Sequence, residues 1–343
     1  MLWQSKKSEA GRSRDTRALG VSHLMQNVCY ALLPGTIAYA IFISPAIIIQ
    51  IILCCTSALF VEAAALRIRN RPIKAGLLDN SALLAGWLLA FAIPPLAPWW
   101  IAVTGALVAM LLGKHLFGGL GHNPFNPAMV AYAFLLISFP LEMTAWPVDR
   151  LAVDVGGASP TIVESVRAIF KMDVVTGNDW HAMTRPTPLD RLKHAQPEAT
   201  ASLNDLYGTF ALRGWEWINL AWLAGGLWLL QQRVITYHIP VCVLVGLAAG
   251  HGVFWLLNDQ TTLDPITALF SGSAMLGAFF IATDPVSAAT TKSGKIIYAL
   301  GIGLLTFVIR QFSGYPEGIA FAVLLMNCVA PALDHYISRQ TKH

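Results

Sequence analysis

The stretch GHNPFNPAMV, Gly121 to Val130, places two asparagines and two prolines between strongly apolar segments. Each proline lacks a backbone N–H donor, so a regular helix cannot continue through the stretch. Unwound backbone at membrane depth must find polar partners in protein or in a cavity. Two interpretations stay open. Asn123 and Asn126 could present their amides to a polar ligand, or Asn126 could cap a helix that begins at Pro127.

The chain around this stretch is predominantly apolar. Of its 343 residues, 55% are hydrophobic and 12% are charged, and its apolar runs approach the length needed to cross a bilayer. The sequence therefore predicts an all-α polytopic membrane protein in contact with the lipid bilayer, with about ten transmembrane segments, some too short to span as straight helices. The predicted helices are 24–43, 46–66, 80–93, 99–117, 127–139, 218–232, 239–257, 266–282, 296–310 and 319–333.

The basic residues indicate how the chain is oriented. With the amino terminus inside, the cytoplasmic segments contain fifteen of the twenty-three Lys and Arg residues, and the short outside turns contain only Arg310. Basic loops tend to stay cytoplasmic. We therefore predict two cytoplasmic tails, 1–21 and 335–343, and one large periplasmic loop, 140–217. Because the basic clusters are short and lie between apolar segments, we expect no nucleic-acid partner.

A weak internal repeat relates the two halves of the chain. LDNSALLAGWLLAFAIPP, from Leu78, is similar to LDPITALFSGSAMLGAFFIATDP, from Leu263. With an odd number of helices in each half, the second half enters the membrane from the opposite side. This predicts two inverted five-helix repeats, 22–139 and 218–334, joined by the loop. Such repeats are typical of transporters, so the residues alone favour a solute transporter or channel.

Two acidic residues raise the question of an ion path. Asp284 stands before Pro285 at the end of an apolar run, where it either ends a helix or lies deeper, on a cation or proton path. Glu62 lies inside the second predicted helix, and its closeness to Arg67 favours snorkelling to the membrane surface. The five cysteines lie in apolar runs without metal-ligand spacing, so we expect no metal site, and no catalytic residue stands out.

Several of these stretches together resemble one protein family. LFGGLGHNPFNPAMVAYAFLLISFP, PPLAPWW, TPLDRLK and the region from IATDPVSAATT to LLMNCVAP resemble the D subunit of the Rnf electron-transport complex, over nearly the whole chain. The chain is more distantly similar to the B subunit of the sodium-pumping NADH:quinone oxidoreductase. The resemblance implies a flavoprotein subunit of the bacterial inner membrane. With other membrane and peripheral subunits it would pass electrons while the complex moves sodium ions or protons.

The resemblance also implies a covalent flavin in the exported loop. Members of the family carry FMN joined through its phosphate to a Thr hydroxyl, and the matching residue is Thr187, with Thr184 at the Ser/Thr position of the motif. Arg185 and Pro186 replace the usual Gly-Ala, and His181 stands where an Asp is common. From the residues alone, this segment is an exposed turn that leads into a short amphipathic helix.

A second flavin is implied at the opening stretch. The related B subunit binds riboflavin within the membrane, and the resemblance places the equivalent site at Asn123 and Asn126. Phe125 would pack against the ring, whose polar edge suits amide groups. A member that had lost its flavins would be a structural subunit, which is a further alternative.

Overall fold

The computed structural model describes residues 2–148, 150, 160–170, 184–194, 206–258, 263–315 and 317–340, with side chains from Gly20 to Arg339. His181 lies outside these ranges. Up to Thr144, every regular element of the chain is a helix. These elements are α1 (Leu2–Phe42), α2 (Ala46–Ile68), α3 (Ile73–Leu77), α4 (Ser81–Ala92), α5 (Trp99–Met110), which continues as a π-helical turn (Leu111–His115), α6 (Pro127–Ser138) and α7 (Pro140–Thr144).

The segment that joins the two halves contains short elements. They are β1 (Trp146–Pro147), α8 (Ile162–Phe170), β2 (Thr184–Arg185) and α9 (Pro188–Lys193). The second part returns to long helices. Its elements are α10 (Trp215–Gln231), α11 (His238–Asn258), α12 (Pro265–Leu269), α13 (Ala274–Leu276), which continues as a π-helical turn (Gly277–Ile281), α14 (Lys292–Phe312) and α15 (Ile319–Gln340).

Helix length and composition support a membrane protein. Five helices are long and apolar enough to cross a bilayer: Gly20–Phe42, Ala46–Ile68, His238–Leu257, Lys292–Phe312 and Ile319–Arg339. Three shorter apolar helices accompany them: Ser81–Ala92, Trp99–His115 and Pro127–Ser138. Each of the ten predicted segments contains helix, but within the described ranges only these five have the full length of a span.

One predicted helix, 266–282, is broken. Helix α12 ends at Leu269 and α13 begins at Ala274, so four residues between them carry no regular helix. Gly272 has a φ of +58°, in the left-handed region where glycine has no steric penalty. The prediction of one continuous helix was wrong here, because side chains from distant segments hold the unwound backbone.

Short connections place successive helices antiparallel and define two ends of the bundle. At one end, which we call the loop end, the Gln50 amide donates to the carbonyl of Ala97 at 2.6 Å. At the other, the N-terminal end, the Ser22 hydroxyl donates to the carbonyl of Leu78 at 2.6 Å. The segment that carries Thr187 lies at the loop end.

Small residues allow the helices to approach closely. A side chain at Gly303 of α14 would collide with the backbone of α11 at Val243. A side chain at Gly225 of α10 would collide with the carbonyl of Ala31 in α1. Lipid tails supply no hydrophobic force between helices, so packing of this kind is a main source of their association in membranes.

Candidate functional site

Thr187 lies where the joining segment turns onto the bundle. Strand β2 pairs with β1 so that Arg185 lies opposite Trp146. Thr187 then caps α9, because its Oγ1 accepts a hydrogen bond from the backbone N–H of Asp190 at 3.2 Å, and Pro188 takes the first helical position. The predicted short helix after the turn is confirmed. Its cap is the hydroxyl that the family resemblance singles out.

A cavity of about 810 Å³ opens beside Thr187 and extends into the bundle. Its wall includes Thr184, Arg185, Pro186 and Thr187 of the joining segment. Deeper residues come from both halves of the chain: Leu88, Met129, Leu276 and Ile281. The volume lies in the range of roughly 300–1,000 Å³ that is usual for sites of organic ligands. The structure therefore brings the predicted attachment residue to the mouth of an apolar chamber.

Lys193 fastens α9 to the loop end of the bundle. Its Nζ donates to the carbonyl of Tyr315 at 2.6 Å and to the carbonyl of Ile309, in the last turn of α14, at 3.4 Å. A cation is favourable at a helix C-terminus. Burial lowers the pKa of Lys193 from its ordinary value, and the carboxylate of Asp190 opposes that shift. The position of Thr187 is thus tied to the membrane helices.

The opening stretch forms the predicted cap and also leaves one polar atom without a partner. Asn126 Oδ1 accepts from the backbone N–H groups of Ala128 and Met129 at 3.0 and 3.4 Å, so the helix-cap interpretation is confirmed. Asn123 is buried, and its Nδ2 donates to the carbonyl of Phe125 at 3.0 Å. Among the described residues, its Oδ1 has no hydrogen-bond partner.

A single amide connects the opening stretch of the first half to the turn after the Thr-Asp-Pro stretch of the second half. Asn327 of α15 accepts from the backbone N–H of Asn126 at 3.2 Å. It also donates to the carbonyl of Ser287 at 3.2 Å, next to the Thr-Asp-Pro stretch, and to the hydroxyl of Tyr298 at 2.8 Å. Asp284 caps its own turn, because its Oδ2 accepts from the Ser287 hydroxyl at 2.9 Å. The sequence did not single out Asn327, whose only signal is an amide in an apolar run.

Glu62 is part of a buried ion pair. Its Oε1 accepts from Lys114 Nζ at 2.8 Å, and its Oε2 lies 2.8 Å from His115 Nε2. Lys114 Nζ also donates to the hydroxyl of Ser81 at 2.8 Å. The snorkelling interpretation was wrong: Glu62 is only 1% exposed. A buried carboxylate needs a partner, and Lys114 supplies a charge that is closer and better shielded from solvent than Arg67.

The broken helix of the second half is held by three polar side chains that the sequence analysis missed. The first is Asn219 of α10, which donates to the carbonyls of Phe270 and Gly272 at 3.2 and 3.0 Å. Its Oδ1 accepts from the backbone N–H of Met275 at 3.2 Å.

Arg310 is the second of these side chains, and Glu317 is the third. The Arg310 guanidinium donates to the carbonyls of Ala268 and Ser271 at 2.8 and 3.2 Å, and it forms an ion pair with Glu317 at 3.0 Å. Glu317 accepts from the backbone N–H of Ser273 at 2.8 Å. The sequence placed Arg310 in an outside turn, but the residue is buried.

The sequence of the chain matches a family model and several known proteins. The model of the NQR2, RnfD, RnfE family matches residues 14–342. Three curated relatives, from Escherichia coli strains SE11, 55989 / EAEC and O8 (strain IAI1), are each named as the D subunit of an ion-translocating oxidoreductase complex. The chain is 45% identical to each of them over 329 residues, which are 92% of this chain and 92% of the relative.

Proposed function

Because this chain belongs to the NQR2, RnfD, RnfE family, we propose that it is a membrane subunit of an ion-translocating oxidoreductase complex and relays electrons through FMN linked to Thr187. The observation that carries the proposal is the position of Thr187. Its hydroxyl lies at the mouth of a chamber of about 810 Å³ that enters the bundle from the loop end. Other membrane and peripheral subunits would supply and accept the electrons.

The residues at the mouth of the chamber suit a flavin phosphate. Thr187 is half-buried, and its Oγ1 uses one lone pair to accept from Asp190, which leaves the hydroxyl able to carry a phosphoester. Arg185 lines the same chamber and provides a permanent positive charge for the phosphate. Arg185, which with Pro186 replaces the usual Gly-Ala, would therefore help to bind the phosphate. FMN would supply the redox chemistry, and this chain would bind and orient it.

We propose that riboflavin binds at the break formed by the opening stretch. The unpartnered Oδ1 of Asn123 supports a ligand with N–H groups, which the edge of a flavin ring offers. Phe125 packs edge-on against Phe117, with ring centroids 6.2 Å apart, and would extend an aromatic surface for the ring. Asn126 would position the stretch for the ring, because its side chain caps α6 and its backbone N–H donates to Asn327.

The packing of the helices supports the inverted repeat. In the first half, α5 packs between α2 and α6, and in the second half α14 packs between α11 and α15. The two first helices of the halves, α1 and α10, pack against each other, as expected around a two-fold axis in the membrane plane. We therefore propose ten membrane segments in the bacterial inner membrane, with cytoplasmic termini and a periplasmic joining segment.

Asp284 is the stronger candidate for the ion path. Both carboxylate oxygens of Glu62 are already engaged by Lys114 and His115, so an ion could enter there only by displacing one of them. Asp284 has no basic partner among the described residues, and its oxygens accept from Val286 and Ser287. A carboxylate in this state can still attract a proton or sodium ion.

Flavin fluorescence on a denaturing gel tests the attachment. Membranes are prepared from cells that make the whole complex and its flavin transferase, and the chain is examined under ultraviolet light. We expect a fluorescent band in the wild type and none in Thr187→Ala. Because alanine also removes a helix cap worth about 0.5–2 kcal/mol, Thr187→Asn is included, since it retains a capping oxygen but cannot form the phosphoester.

Thr144→Ala is the matched control, because Thr144 lines the same chamber and its hydroxyl donates to a local carbonyl. Its band should stay fluorescent. A dark wild-type band would overturn covalent FMN and favour a structural subunit. Solute uptake by vesicles that contain only this chain would instead favour the transporter that inverted repeats suggest.

A further inference from the structure

Helix α8 of the joining segment is fixed at its start by its own residues. The backbone N–H and the hydroxyl of Thr161 both donate to the Glu164 carboxylate, at 2.8 and 2.9 Å. In return, the backbone N–H of Glu164 donates to the Thr161 hydroxyl at 3.3 Å. This reciprocal arrangement is a capping box, which stabilises the first turn of a helix. The side chains of α8 therefore keep a defined angular relation to one another.

One face of α8 packs against the bundle at the loop end. Its buried residues are Ser165, Ala168 and Ile169. Ile169 forms a small core with Leu96 and with Ala46, the first residue of α2, and Leu53 of α2 packs against this core. Leu53 follows Ala46 by two helical turns, which is about 10 Å along the helix axis. Helix α8 therefore lies beside the first turns of a helix that is long and apolar enough to cross a bilayer.

The rest of α8 has an apolar face and a charged face. Ile162 and Val163 are 61% and 62% exposed, and Phe170 is 38% exposed. Glu164 and Arg167 are exposed as well. In a helix with 3.6 residues per turn, the buried, apolar and charged faces point about 120° apart from one another. Each face of α8 therefore requires different surroundings.

The exposed apolar face continues a surface of α2. Ile48 and Ile52 lie on the same first turns of α2 and are 48% and 56% exposed. In a helix that crosses a bilayer, exposed side chains of this kind contact acyl chains. Exposed apolar patches mark surfaces that contact a membrane or another protein. Because the patch on α8 adjoins lipid-facing residues of α2, lipid is the occupant that this position favours.

We propose that α8 is an interfacial helix, which lies flat at the membrane surface beside the loop end of the bundle. Its buried face contacts protein at its side, and its apolar face, Ile162, Val163 and Phe170, enters the boundary between phospholipid headgroups and acyl chains. Glu164 and Arg167 then face water, as the charged face of such a helix does. The joining segment thereby gains an attachment to the membrane in addition to Lys193. This inference depends on the membrane location of the bundle and is independent of any flavin.

Nitroxide labels on α8 test this position. Val163→Cys, Phe170→Cys and Arg167→Cys are labelled in the complete complex in phospholipid vesicles, after replacement of the half-buried Cys242 and the exposed Cys328 by serine. Collisions with oxygen, which concentrates in hydrocarbon, are compared with collisions with a nickel chelate, which stays in water. We expect oxygen to dominate at 163 and 170, at a depth of about 5–10 Å, and the nickel chelate to dominate at 167.

Ile52→Cys is the control for lipid contact, and oxygen should dominate there. The labelled side chains on α8 are all exposed, so labelling removes no buried contact. Val163 and Phe170 share one face, so either label decides the result if the other variant does not assemble. Labels on this face that collide mainly with the nickel chelate would place it in water and overturn the inference. Labels that collide with neither reagent would show that a partner subunit covers the face, which would overturn it equally.

Discussion

Asn219→Leu should destabilise the bundle, because this side chain makes three of the hydrogen bonds that satisfy the broken helix of the second half. The amide is fully buried and holds the carbonyls of Phe270 and Gly272 and the N–H of Met275. Hydrogen bonds inside membrane proteins average about 0.6 kcal/mol each, so three losses cost about 2 kcal/mol. A buried group left without any partner adds about 1–3 kcal/mol. We expect the free energy of unfolding to fall by about 3–5 kcal/mol.

The assay is equilibrium unfolding of the purified protein in mixed lipid–detergent micelles by a denaturing detergent, followed by circular dichroism. Leu227→Ala is the control, since Leu227 lies on the same helix and is 53% exposed. Surface changes of this kind usually stay within about 0.5 kcal/mol. If Asn219→Leu unfolds within about 0.5 kcal/mol of the wild type, the backbone of the break does not depend on this amide, and our account of the break is wrong.

Three further predictions use the same assay. Arg310→Met should cost about 3–5 kcal/mol, because it leaves Glu317 without its ion-pair partner, and adding Glu317→Gln should recover part of the loss. Lys114→Met should likewise cost about 3–5 kcal/mol by leaving the Glu62 carboxylate buried with only His115, and the double variant with Glu62→Gln should lose less than the sum of the single changes. Gly272→Ala should cost at least about 1–3 kcal/mol from the left-handed backbone alone, and a wild-type stability would contradict the observed φ.

Local features of the molecule could be predicted from the sequence. Asn126 before Pro127 and Thr187 before Pro188 are both a capping residue followed by a proline at the first helical position, and both cap helices in the structure. Such contacts join residues two or three positions apart, so the chain order alone determines them. The sequence likewise predicts that a helix begins at Pro127, within the opening stretch.

Contacts between distant segments could not be predicted in this way. Glu62 and Lys114 are 52 residues apart in sequence, and Asn219 and Gly272 are 53 apart. A polar residue in an apolar run signals that some partner exists, because an unsatisfied group in hydrocarbon is costly. It does not identify the partner. That is why the sequence pairs Glu62 with the nearby Arg67, and why it predicts continuous helix across the break in 266–282.

The two breaks differ in whether protein side chains satisfy their buried polar groups. At the second break, Asn219, Arg310 and Glu317 satisfy the unwound backbone, so that break requires no ligand to exist. At the first break, the described residues leave Asn123 Oδ1 without a partner. This oxygen is an acceptor, and the edge of a flavin ring offers a complementary N–H group. If riboflavin binds there as proposed, its addition to the complex should shift the side-chain amide signals of Asn123, whether or not FMN is linked to Thr187. Asn123 signals that shift only when FMN is linked to Thr187 would mean that the two sites are one.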